Sequence, residues 1–92
     1  MTTKNRPVHA VKLGLIEAAI WRNENDGKPR HNVTVRRSYA IEKDGKLDWN
    51  STDSFGRDDL LSLAKALDLA HTWIMHQQQA DAKARRESQQ AA

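Results

Sequence analysis

The chain has 92 residues, no cysteine, and 15 Lys/Arg against 12 Asp/Glu, for a net charge of +3. That length holds one domain, and the missing thiols exclude a disulfide framework and any thiolate metal site. Hydrophobic content of 38% and a mean hydropathy of −0.83 leave little apolar material for a self-sufficient core, so oligomerisation is an expected source of more. The first seven residues lack the apolar stretch of a signal peptide, and no apolar run approaches the ~18 residues that span a membrane. The expectation is a soluble cytoplasmic protein, nucleoid-associated if bacterial.

Residues 1–7 are polar and basic and read as a flexible arm, followed by one domain over residues 8–76 and a low-complexity tail, 77–92, frayed or disordered. Val8–Leu13 alternates as a first strand would, and Gly14 marks a tight turn or bulge. The alanines of Leu15–Arg22 permit a helix, but the segment is short and ends in a loop, which favours a second strand with Ile16, Ala18 and Ile20 on one face and Glu17, Ala19 and Trp21 on the other. A loop is expected over Asn23–Pro29. Arg30–Ile41 is the clearest strand, with Val33, Val35, Arg37, Tyr39 and Ile41 on one face and Asn32, Thr34, Arg36, Ser38 and Ala40 on the other. Arg37 on an apolar face is explained by a position past the helix end, by an acidic partner, or by a bulge that reverses the alternation. Asp44-Gly45 signals a hairpin turn, and Leu47–Phe55 follows as a shorter, polar fourth strand.

Arg57–His76 reads as one helix. Gly56 is its expected N-cap, Asp58 and Asp59 suit its first turn, and Phe55 with Leu60 occupies the positions of a hydrophobic staple. Leu60, Leu63, Ala64, Leu67, Ala70, His71 and Ile74 form its main apolar face, which Ala66, Leu69 and Trp73 extend. One sheet needs a stripe of about 100°, and this one is about twice as wide. The surplus suggests a homodimer packed through Leu63, Ala66, Leu69, Ala70 and Trp73. The predicted fold class is therefore α+β: a four-stranded antiparallel meander followed by one long amphipathic helix.

Charge follows this layout. Residues 1–46 hold ten Lys/Arg against five Asp/Glu, a net of +5; residues 47–76 hold two against five, a net of −3; the tail is +1. A basic sheet joined to an acidic helix points to an anionic partner at the sheet. Arg22, Lys28, Arg30 and His31 surround one loop, Lys43 and Lys46 flank the next turn, and Arg36 lies on the outward strand face. With Trp21 and Trp49 they form a candidate nucleic-acid-binding set, in which cations hold phosphates and an aromatic ring stacks a base. The plain alternative is that the cations decorate solvated strands and Trp21 fills a core or a dimer contact, while Trp49 covers the sheet's open end. Catalysis has little support. His71 and His76 are five residues apart, which misses the i, i+4 spacing of helical metal pairs, and no nucleophile context surrounds Ser51, Ser54 or Ser62. No enzyme activity, metal or cofactor is expected.

Gly14-Leu15-Ile16 before a strand, the strand Val33–Tyr39 with its Val-Thr-Val-Arg pattern, the Lys43–Lys46 hairpin and the helix Arg57–Ile74 together resemble the single-stranded-DNA-binding domain of the positive cofactor four family of transcriptional coactivators. The resemblance covers about Gly14 to Ile74 and implies a dimer whose curved sheets grip single-stranded DNA or melted duplex. In place of that family's basic, glycine-containing segment before the helix, this chain has Asn50–Phe55 without Lys or Arg. The expected function is non-catalytic binding of single-stranded DNA or RNA, as a transcription or replication accessory factor. The alternative is an interaction module or inhibitor that offers the basic sheet to an acidic protein.

Overall fold

The computed structural model describes residues 6–25 and 27–90, so only Arg6 and Pro7 of the expected arm fall within it. Strands β1 (His9–Leu13), β2 (Ile16–Asn25), β3 (Lys28–Lys43) and β4 (Lys46–Thr52) precede a 3-10 turn, Arg57–Asp59, and one helix, α1 (Leu60–Gln90). The sheet is an antiparallel meander in the order β1-β2-β3-β4, the predicted α+β arrangement.

Three short turns set the register. Leu13 pairs with Ile16 across Gly14-Leu15, and Gly14 has φ 60°, the positive value that a type II′ hairpin puts at its first loop position. Lys43 pairs with Lys46 across Asp44 (φ 53°) and Gly45 (φ 74°), the two positive angles of a type I′ turn. Between β2 and β3 the ladder reaches Asn25, which pairs with Lys28, so most of the stretch expected as a loop, Asn23–Pro29, is strand. Gly27 at φ 75° takes the positive angle that a tight reversal needs. Asp26 lies outside the described residues.

β3 is the spine. Its residues Lys28–Arg37 pair with β2, and Arg37–Lys43 pair with β4, so the two neighbours are staggered along it. α1 lies over β1 and β2. The far half of β3 and all of β4 project beyond it, and the chain measures 65 × 36 × 18 Å.

The core is small: Ile16, Ala18 and Ile20 of the sheet against Ala66 and Ala70 of the helix, with Val11, Leu13, Val33, Val35, Phe55, Leu63, Trp73 and Ile74 packed around them. The helix face on the sheet is therefore rotated from the expected one. Ala66 and Ala70 are small enough to let the backbone approach the sheet, which turns Leu60, Ala64, Leu67 and His71 outward.

β3 keeps its alternation without a bulge, so Arg37 stays on the helix side. Its Nε lies 3.2 Å from Asp59 Oδ2, an ion pair without hydrogen-bond alignment. The same Asp59 oxygen accepts the Gly56 N–H at 2.9 Å, and the Asp59 N–H donates to the Gly56 carbonyl at 2.9 Å. One carboxylate thus caps the helix start and anchors the sheet to it. Phe55 packs on the core, whereas Leu60, its expected staple partner, stays 51% exposed.

The helix does not end near His76. It continues to Gln90, 31 residues or about 46 Å, because Ala, Gln, Lys, Arg and Glu favour helix and no Gly or Pro interrupts them. Asp81 on this extension ties back to Arg22 of β2 at 3.1 Å.

Candidate nucleic-acid interface

Alternation and register decide which candidates share a face. Trp21 pairs with Asn32, Glu17 with Arg36 and Trp49 with Ala40. Cross-strand partners point the same way, so Trp21, Arg30, Asn32, Thr34, Arg36 and Trp49 all stand on the face opposite the helix. Eight residues of β3 separate Asn32 from Ala40, which sets the two tryptophans ~27 Å apart along the strand.

Trp21 is half-buried, and its indole N–H donates to Thr34 Oγ1 at 2.8 Å, which fixes the ring plane on the sheet. Around it lies an open hollow of about 450 Å³ lined by Arg6, Trp21, Arg22, Asn23, Asn32 and Thr34. A smaller one of about 190 Å³ adjoins it, between Trp21, Thr34, Arg36 and Glu17. Trp49 is 58% exposed, so it forms no lid. Arg30 and Lys28 are exposed at the hairpin end of the same face.

The centre of the face is less cationic than the sequence suggested. Glu17 holds Arg36 through both Nη2 (2.6 Å) and Nε (2.7 Å) and stands 3.7 Å from Lys12 Nζ. One acid therefore offsets two cations there. The pairing was recoverable from sequence once a two-residue loop at 26–27 was assumed, since that loop alone puts residue 17 opposite residue 36.

Other candidates lie elsewhere. Arg22 follows Ile16, Ala18 and Ile20 in parity, and its guanidinium pairs with Asp81 of α1. His31 follows Val33 and Val35 and sits edge-on to Trp73 with centroids 6.0 Å apart. Both belong to the helix side; Arg22 borders the hollow beside Trp21, but its guanidinium is held by Asp81. Lys43 has the parity of Arg37, Tyr39 and Ile41 and pairs with Lys46, so both stand on the helix side, exposed at the β3–β4 turn, beyond Trp49 and far from Trp21.

The residues expected at a dimer seam are largely used within the chain. Ala66 and Ala70 are buried, Leu63 packs on the core, and Trp73 stacks on His9 with centroids 5.0 Å apart. Leu69 is 37% exposed on the flank beside β1.

Among the described residues, no group of three or more His, Cys, Asp or Glu is placed to hold a metal ion, and no helix is long and apolar enough to cross a membrane. The fold and face define an α+β domain with an open, tryptophan-bearing sheet surface. Comparison with known proteins gives no matching family model, no matching curated protein and no matching solved structure.

Proposed function

We propose that the chain binds single-stranded nucleic acid, without catalysis, on the open face of its sheet. The observation that supports this most is that Trp21 of β2 and Trp49 of β4 stand on one uncovered face, on either side of the strand that carries Arg30 and Arg36. A flat, open surface suits an extended strand better than a small substrate, because bases stack on successive rings while cations follow the backbone. Trp21, braced by Thr34, is the principal stacking platform, and Trp49 is the second. Lys28 and Arg30 hold phosphates at the hairpin end of that face.

Fluorescence anisotropy of a labelled single-stranded oligonucleotide tests this. Trp21→Ala and Trp49→Ala should each weaken binding by about 1–3 kcal/mol, or roughly 5- to 150-fold. No binding by the wild type at ~20 mM salt, where electrostatic affinity is strong, would end the proposal. A stoichiometric protein that co-purifies and survives nuclease treatment would instead favour an acidic protein partner.

A further inference from the structure

We propose that the larger hollow beside Trp21 is a one-nucleotide subsite that favours adenine: the base stacks on the indole, the amides of Asn23 and Asn32 read its edge, and Arg6 holds its phosphate. The proposal rests on the reading that the open face binds single strands. To that reading it adds a base preference and a contact from the N-terminal arm.

The arm reaches the hollow by local geometry. The Val8 N–H donates to the Ile20 carbonyl at 2.8 Å, which ties the chain to β2 beside Trp21. Pro7, with its φ restricted by the ring, stiffens the step from that bond back to Arg6. Trp21 and Thr34 line both hollows; Pro7 lines the smaller and Arg6 the larger. The two described residues of the arm thus fall on either side of the stacking platform.

Charge singles out Arg6 among the cations near the ring. Asp81 holds the Arg22 guanidinium at 3.1 Å, and Glu17 holds Arg36. Arg6 is exposed, and among the described residues no carboxylate pairs with it. No acid lines the larger hollow, so a phosphate there meets attraction without a competing charge. Arg30, the cross-strand partner of Asn23, is placed to take the next phosphate along the same face.

The polar groups of the hollow suit a base edge. Asn32 is the cross-strand partner of Trp21, and Asn23 shares its face two residues along β2. Both are exposed and both line the hollow. Among the described residues, neither side chain is engaged in a hydrogen bond. An amide sets an acceptor beside two donors. Adenine sets an amino donor beside a ring-nitrogen acceptor, the edge that Asn meets with two bonds. The hollow's volume, about 450 Å³, lies within the ordinary range of small-ligand sites, about 300–1,000 Å³. Stacking alone accepts any base, so the amides are what turn this platform into a reader.

Fluorescence anisotropy with labelled dA, dC and dT 12-mers tests this on the full chain. The wild type should bind the dA strand about 5-fold or more tighter than the others, and Asn32→Ala or Asn23→Ala should bring the three within about 2-fold. Asn32→Val, a better strand former without the amide, gives the same reading should Asn32→Ala lose its fold. Arg6→Gln should weaken all three strands and lower the log–log salt slope by about 0.7, one phosphate contact. Equal affinity of the wild type for the three strands overturns the base reading and leaves binding at the face standing. A dA preference that survives both asparagine changes also overturns it, since stacking would then be its source. An unchanged slope in Arg6→Gln removes the arm from the site. No binding of any strand ends both this proposal and the reading it rests on.

Discussion

β3 runs through two environments. From Lys28 to Arg37 it pairs with β2 near the helix, and its residues alternate between exposed and half-buried. From Ala40 onward it pairs only with β4, and every residue is exposed, as is all of β4 except Thr52. The same strand thus has a core side in one half and none in the other. β-propensity and pairing are similar in both halves; what differs is whether the helix lies above. Two-stranded ribbons are marginal alone, so the projecting hairpin depends on its type I′ turn and on continuity with the main sheet.

The largest expected effect sharpens this contrast. Ile20 is fully buried under the helix, and Ile20→Ala should cost about 2–5 kcal/mol, lowering the Tm by roughly 4–8 °C per kcal/mol. Leu47, 63% exposed on the open face of β4, should tolerate Leu47→Ala within about 0.5 kcal/mol. Equal losses in thermal or urea unfolding would mean that the hairpin is as well packed as the core, and the comparison would break. A smaller effect is expected where the two regions meet. Asp59→Ala removes the acceptor for Gly56 N–H and the partner of Arg37, and should cost about 1–2 kcal/mol, read as a shift in the urea midpoint.

Much of this was legible in the sequence. Gly14 and Asp44-Gly45 announced two of the three turns, and the alternation of Ile16, Ala18 and Ile20 correctly identified the buried face of β2. The same alternation also assigned Arg22 and His31 to the helix side. Grouping them by nearness to a loop overrode a stronger signal, the period of two. The placement of Arg37 was not legible, because its partner lies 22 residues away and meets it only once the helix start folds back on the sheet. Nor was the length of α1, since Gln77–Gln90 carries no apolar period and its helicity rests on propensity and on the Arg22–Asp81 tie. The helix carries apolar residues on more of its surface than the sheet covers. Which part of it the sheet would take was decided by Ala66 and Ala70, whose small size draws the helix in.

The central claim is that a nucleic-acid backbone crosses the open face, where Glu17 offsets Arg36 and Lys12. The most direct test is the salt dependence of oligonucleotide binding by the wild type and Glu17→Gln. The account predicts tighter binding by Glu17→Gln and a log–log salt slope steeper by about 0.7–1.4, one or two further phosphate contacts at roughly −0.7 each. Unchanged affinity and slope would contradict it, because the strand would then not pass over the centre of the sheet.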